Sequence, residues 1–252
     1  MINNLKQYIY IWYLPILTFL SIIIAWQIFS ILGFFEPWLL PSPSMIIEEL
    51  YNSKIFLLQH TFTTGLEVII GLTVAVLLGT LLAILMANSK MIERSFLPYV
   101  IASQVIPIFA LAPILIVWFG AGLFSKIVVV FLISFFPIVV GVFDGLKKEN
   151  SGMENLLKTM GATEIQIFKL LKIKLALPSF FSGLKVACVS SVIGAVVAEW
   201  IGSKSGLGWI MKVSGPLFQT ERVFAAILLL SVFASSLFLL VKIIEKKVVK
   251  GI

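Results

Sequence analysis

The sequence predicts an all-α polytopic membrane protein with six transmembrane helices and a cytoplasmic loop. Of its 252 residues, 60% are hydrophobic and only 12% are charged, and the mean hydropathy is +1.10. A soluble domain could not cover such a core with polar surface. The charges cluster between apolar runs, several of which reach the roughly 20 residues that a helix needs to cross a bilayer. One transmembrane domain covering residues 1–252 is expected.

Six long apolar runs are the candidate spans. The first lacks a small-residue cleavage motif, so we expect a retained span with Trp12, Tyr13 and Trp26 as interfacial aromatics. Pro107 and Pro113 interrupt the third run. Such interruptions are tolerated in a membrane where neighbouring helices or water bond to the freed backbone carbonyls. The spans are expected at residues 8–32, 61–87, 96–119, 124–142, 179–201 and 223–241.

The first two spans are separated by a polar segment. Pro41-Ser-Pro-Ser44, followed by Glu48 and Glu49, is typical of the start of a short amphipathic helix ending near Tyr51. This helix is too polar to span the membrane.

The longest mixed-charge segment, residues 144–178, lies between the fourth and fifth spans. Two capping-box patterns, a Ser or Thr followed three residues later by Glu or Gln, begin at Ser151 and Thr163. Gly161 lies between them, where the first helix needs a left-handed residue to end. We therefore expect two short helices joined at this glycine, with Pro178 opening the next apolar run.

The same segment resembles the EAA loop of bacterial ABC importer permeases, in Leu157-Lys-Thr-Met-Gly-Ala-Thr163 and in Leu177-Pro178. Asn155 stands where the family usually has Glu, and Glu154 comes one position early. In that family the loop is cytoplasmic and docks into a groove of the ATP-hydrolysing subunit. The resemblance implies docking by Glu154, Asn155, Leu157, Lys158, Met160, Gly161, Ala162 and Thr163. The alternative is an amphipathic loop that packs on its own helices.

Other stretches resemble one branch of these permeases, which handles sulfonates, taurine, nitrate or thiamine precursors. They are Leu40-Pro-Ser-Pro43, the run from Trp118 to Ile127, Phe136-Pro137, Glu199-Trp-Ile-Gly202 and Ser205-Gly-Leu-Gly208. The resemblance implies a dimer of permease copies, two ABC ATPase subunits that hold ATP and Mg²⁺, and an extracellular or periplasmic substrate-binding protein. No cofactor is then expected on this chain.

The distribution of Lys and Arg predicts the orientation. With the N-terminus inside, 14 of the 19 lie on the inner side, and the outer side receives the other five: Lys54, Lys126, Lys204, Lys212 and Arg222. This bias follows the positive-inside rule. Six spans then place both termini and the 144–178 loop in the cytoplasm, with the chain in a bacterial inner membrane.

Few residues could carry chemistry. His60 is the single histidine and Cys188 the single cysteine, so one chain offers no Cys/His pair or metal set. The sequence has no phosphate-binding P-loop, so we expect a partner to hydrolyse ATP and the chain not to be an enzyme. His60 is expected to be passive at an interface, and Cys188 to be a small buried residue.

Glu67 and Glu199 are the acids placed inside spans, and an intramembrane ionisable group indicates function by default. The alternative for Glu67 is bonding to nearby Ser or Thr or reaching toward water. For Glu199 it is a helix-end carboxylate in water, although the resemblance favours a lining or gate role. The candidate path residues are Glu67, Gln104, Ser134, Ser190, Ser191, Glu199, Gly206 and Gly208.

These observations favour the permease subunit of an ATP-driven importer over a stand-alone secondary transporter, because no inverted repeat is visible. A membrane-embedded enzyme is a third alternative. Since no Arg or Lys is expected at mid-membrane depth and carboxylates would oppose an anion, we favour a pyrimidine precursor of thiamine, hydroxymethylpyrimidine or formylaminopyrimidine, over alkanesulfonate, taurine or nitrate.

Overall fold

The computed structural model describes the backbone of residues 2–148 and 151–250 and the side chains of residues 13–148 and 151–250, so the Trp12 side chain lies outside it. The described residues contain helices and no strand, which confirms the all-α class. The helices are α1 (Ile2–Ile31), α2 (Pro43–Asn52), α3 (Lys54–Asn88), α4 (Lys90–Val105), α5 (Ile108–Phe119), α6 (Leu123–Lys147), α7 (Ser151–Thr159), α8 (Glu164–Ile167), α9 (Ile173–Gly202), α10 (Leu207–Ser214) and α11 (Thr220–Val249).

The chain folds as two compact units, one of residues up to 58 with 210–228 and one of residues 59–209 with 229 onward. In the first unit, Ser42 caps α2 by accepting the N–H of Met45. Arg222 donates to Glu49 across 2.7 Å in the same unit.

Among the described residues, five helices are long and apolar enough to cross a membrane, and α4 with α5 form a sixth candidate that is bent by 102°. The bend lies at Pro107, which lacks an N–H and disfavours a helical conformation at Ile106, where ψ is 123°. Pro113 lies inside α5 without ending it. The third predicted run is therefore two helices rather than one.

Glycines bring α6 close to its neighbours in the second unit. A Cβ on Gly145 would lie 2.8 Å from the Cα of Ala176 on α9, and one on Gly79 of α3 would lie 3.0 Å from Ile138. Small residues allow this close approach of membrane helices. The core between the three helices is apolar and includes Cys188, which is free and buried as expected.

The helix after Gly161 is longer than the sequence predicted. From α8 the chain passes through a π-helical turn (Phe168–Lys172) into α9, so Glu164–Gly202 forms one span of 39 residues. The prediction of a short second helix that ends before Pro178 is wrong. Ala176 and Phe181, on either side of this proline, are buried in the core, and that packing keeps the segment helical.

Candidate functional site

The loop between α6 and α9 presents an amphipathic helix, α7, with three largely exposed apolar side chains on it or directly after it. Met153, Leu156 and Met160 are 46%, 53% and 74% exposed. Exposed apolar side chains grouped on a charged loop are typical of a surface that contacts a partner. Methionine suits such a surface because its side chain adapts its shape.

Gly161 ends α7 in the way that the sequence predicted. Its φ is +82°, and its N–H bonds to the carbonyl of Lys158 while the N–H of Ala162 bonds to that of Leu157. These two bonds form a Schellman motif, which needs a left-handed residue at this position. No other atom lies within 4 Å of a Cβ built on Gly161, so backbone conformation, and not space, requires the glycine.

Thr163 starts the next helix through a complete capping box. Its hydroxyl accepts the N–H of Gln166 at 3.3 Å, and the Gln166 side chain accepts the N–H of Thr163 at 2.8 Å. The capping box predicted at Ser151 does not match the structure, because Ser151 is already the first helical residue of α7 and is therefore not its N-cap. Gly161 therefore caps the C-terminal end of α7, and Thr163 caps the N-terminal end of α8.

An ion-pair cluster links the two sides of this joint. Lys158 Nζ lies 2.9 Å from Glu154 and 3.6 Å from Glu164. The hydrogen bond from Lys158, helped by the charge of Lys172, lowers the pKa of Glu154, and the bond to Glu154 raises the pKa of Lys158. Because these ion pairs lie at the surface, they add little to the stability of the fold.

The predicted docking residues therefore lie on one continuous segment. Glu154, Leu157 and Ala162 are half-buried, and the other five are exposed: Asn155, Lys158, Met160, Gly161 and Thr163.

A second cluster is buried in the membrane-spanning part of the second unit. Glu67 on α3 is 0% exposed and accepts a 2.7 Å hydrogen bond from Lys126 on α6. Lys126 also donates to the hydroxyl of Ser203 at 2.7 Å. Neither alternative considered for Glu67, bonding to Ser or Thr and reaching toward water, describes this ion pair.

Glu199, near the end of α9, is also 0% exposed, so it is not a helix-end carboxylate in water. One oxygen accepts the hydroxyl of Thr64 on α3 at 2.6 Å, and the other accepts the N–H of Gly208 at 2.6 Å. Gly206 has φ +104°, and a Cβ there would overlap the Glu199 carboxylate. The two glycines are thus required by contact with Glu199.

The turn Gly206–Gly208 is held by side chains from two helices. Its three successive N–H groups donate to His60 Nδ1, to the hydroxyl of Thr64 and to Glu199, in chain order. His60 also stacks on Trp209 with ring centroids 5.2 Å apart. His60 therefore fixes this turn, in place of the passive role expected for it.

The structure brings four of the predicted path residues together: Glu67, Glu199, Gly206 and Gly208. The others lie elsewhere. Ser134 is buried on α6, Ser191 donates to the carbonyl of Cys188 and Ser190 is half-buried. Gln104 lines a cleft of about 320 Å³ at the Pro107 bend.

Sequence reasoning missed Lys126, Thr64 and Ser203 as members of the cluster. Lys126 was expected on the outer side with no cation inside the membrane, but its side chain is buried against Glu67. One signal was available, since Thr64 and Glu67 are three residues apart and share a face of any helix that contains them.

A further groove, of about 310 Å³, runs between α5, α9 and α11. Its lining is apolar and carries two partly exposed aromatic side chains, Phe109 and Trp200, beside Ser231. Flat aromatic ligands stack on such rings.

Several membrane-crossing helices with an exposed two-helix loop are the features expected of the membrane subunit of a transport system. The chain belongs to the family of binding-protein-dependent transport system inner membrane components, which matches residues 75–250. It is an ABC transporter permease.

Curated relatives agree. The chain is 40% identical to the formylaminopyrimidine transport permease protein ThiX of Halalkalibacterium halodurans, over 92% of each chain. It is 30% identical to the riboflavin transport system permease protein RibX of Chloroflexus aurantiacus, over 94% of this chain and 89% of the relative. Among solved structures, inward-facing MetNI, a methionine ABC transporter, matches with a TM-score of 0.64 at 20% identity, over 77% of this chain and 95% of the other, which supports the fold.

Proposed function

We propose that the chain is the permease of an ATP-driven importer, working as a homodimer with two ATPase subunits and a substrate-binding protein outside the membrane. The observation that carries this proposal is the exposed apolar surface of α7, which is joined to α8 through the Gly161 cap and the Thr163 capping box. A capped two-helix projection transmits a displacement, whereas a flexible loop would absorb it.

ATP and Mg²⁺ then belong to the ATPase partner, and this chain converts the partner's closure into movement of its helices. Glu164–Gly202 is one helical span, so a displacement at Gly161 reaches the region of Glu199 along about 50 Å of helix. The Gly206–Gly208 turn, which Glu199 holds, is the segment that such a movement would release.

The proposed orientation puts the loop and both termini in the cytoplasm. It is supported by the excess of Lys and Arg on that side, two of which form ion pairs. These pairs join Lys147 to Glu93 and Lys185 to Glu245.

For the substrate we propose a neutral nitrogen heteroaromatic of the thiamine-pyrimidine kind. The relative named for formylaminopyrimidine is 40% identical to this chain over the aligned residues, and a relative named for riboflavin is 30% identical. Lys126, the buried cation, is already paired with Glu67 and offers no free charge to an anion. The Phe109–Trp200 groove provides rings on which a pyrimidine can stack.

Uptake by vesicles that hold the whole complex tests the substrate. We expect ATP-driven import of a labelled pyrimidine precursor that excess unlabelled taurine or alkanesulfonate does not reduce. Strong import of taurine or alkanesulfonate, without competition from the pyrimidine, would assign the chain to the anion transporters instead.

A further inference from the structure

One oxygen of the buried Glu67–Lys126 pair has no visible partner. Glu67 Oε1 accepts from Lys126, but Oε2 has no hydrogen-bond donor among the described residues, although Glu67 is completely buried. A buried carboxylate oxygen without a donor costs the full desolvation of that group. An acceptor that lacks a donor is explained if the oxygen itself carries a proton and donates.

The charges around Glu67 do not balance if every acid is ionised. Lys126 is the cation that faces Glu67, while Glu199 adds a second buried carboxylate beside it. His60 accepts the N–H of Gly206 through Nδ1, so that nitrogen carries no proton. Two carboxylates and one ammonium would leave a net negative charge in a water-poor site, which is strongly unfavourable.

Glu67 and Glu199 belong to the same buried cluster. Thr64 and Glu67 lie on one face of α3, and the Thr64 hydroxyl bonds to Glu199. Lys126, which bonds to Glu67, also bonds to Ser203, whose N–H donates to the carbonyl of Glu199. One oxygen of Glu199 accepts a backbone N–H and the other lies 2.6 Å from a hydroxyl, whereas Glu67 Oε2 has no donor, which favours Glu67 as the carrier of the proton.

We propose that Glu67 and Glu199 form a proton-binding site, in which one proton resides on Glu67 Oε2 and is donated to the Glu199 carboxylate. Lys126 then balances the single negative charge, and the cluster is neutral. Glu199 can therefore hold the Gly206–Gly208 turn from a buried position, because the repulsion between two carboxylates has been removed.

In this arrangement the two acids should respond differently to replacement by glutamine. Glutamine at position 67 reproduces a protonated Glu67, since its amide oxygen accepts from Lys126 and its NH₂ donates to Glu199. Glutamine at position 199 would replace one accepting oxygen by an NH₂ donor. That NH₂ would then face another donor, either the Thr64 hydroxyl or the N–H of Gly208. Glu67→Gln should therefore preserve the cluster, and Glu199→Gln should disrupt it.

Infrared difference spectroscopy of the purified permease–ATPase complex tests the proposal. At neutral pH we expect a protonated-carboxyl band that shifts in D₂O, is lost in Glu67→Gln and persists in Glu93→Gln, a control acid paired with Lys147. Absence of the band from the wild-type protein, or its persistence in Glu67→Gln, would overturn the proposal.

Thermal unfolding of the same complexes provides a second readout. We expect the unfolding temperature of Glu67→Gln to stay near the wild-type value and that of Glu199→Gln to fall. The opposite order, with Glu67→Gln the more destabilised variant, would show that the proton does not reside on Glu67.

Discussion

Thr64 and Glu199 lie 135 residues apart in the chain and are joined by a 2.6 Å hydrogen bond between buried side chains. The bond ties the end of α9 to α3. The same Thr64 hydroxyl accepts the N–H of Leu207, so one side chain connects α3, α9 and the Gly206–Gly208 turn. The stability of this junction rests on a few specific atoms, which single substitutions can test.

Gly206→Ala should destabilise the protein more than Gly120→Ala. Both glycines have positive φ, a backbone conformation that disfavours alanine, so each alanine carries a conformational cost of about 1–3 kcal/mol. Only at Gly206 would the added Cβ also overlap Glu199, while nothing lies within 4 Å at Gly120. This overlap should lower the free energy of unfolding of Gly206→Ala by a further amount of about 1–3 kcal/mol, the usual cost of overpacking. Thermal unfolding of the purified complex measures the difference, and equal losses would mean that Glu199 moves aside freely.

Lys126→Met should be strongly destabilising because it leaves the negative charge of the buried Glu67–Glu199 cluster without its cation. Removing one partner of a buried ion pair costs about 3–5 kcal/mol. Lys204→Met is the control, since Lys204 is exposed on the adjoining loop. The amount of folded protein in the membrane and its unfolding temperature should drop for the first variant alone. Wild-type stability in Lys126→Met would contradict the buried pairing.

Thr163→Ala should loosen the start of α8. Loss of the capping box costs about 1 kcal/mol, so amide exchange in the first turn of α8 should accelerate about fivefold. Thr159→Ala is the matched control, because that hydroxyl bonds only to the carbonyl of Leu156 within its own turn. Hydrogen exchange with mass spectrometry on the complex gives both rates. An unchanged rate in Thr163→Ala would mean that packing, and not the cap, holds α8.

Single cysteines should report the proposed topology in a Cys188→Ser background. Asn52→Cys and Lys204→Cys, both at exposed positions, should react with an impermeant thiol reagent in intact cells. Ser151→Cys should react only after lysis. Ser203 is unsuitable as a probe because its hydroxyl is bonded to Lys126. Labelling of Ser151→Cys in intact cells would invert the orientation.

Local features of the fold could be predicted from the sequence because neighbouring residues determine them. The left-handed Gly161 and the Thr163 box depend on contacts within five residues, and both form as predicted. The membrane class follows from composition alone.

Features that depend on helix packing could not be predicted in this way. Lys126 and Glu67 are 59 residues apart, and their pairing requires the rotation of α3 against α6. Pro107 breaks its run and Pro178 does not, although both lie in apolar sequence, because buried neighbours keep α9 helical around Pro178. The candidate site was therefore predicted as separate residues but not as a connected cluster.

ATP-driven uptake by the reconstituted complex of permease, ATPase and binding protein tests the central claim that the α7–Gly161 loop couples the two subunits. Gly161→Val forces a β-branched residue into a left-handed conformation and should abolish uptake while the protein remains in the membrane. Gly33→Val imposes the same strain at φ +73°, outside the loop and with nothing within 4 Å, and should leave most uptake intact. Import by Gly161→Val at the wild-type rate would contradict the claim.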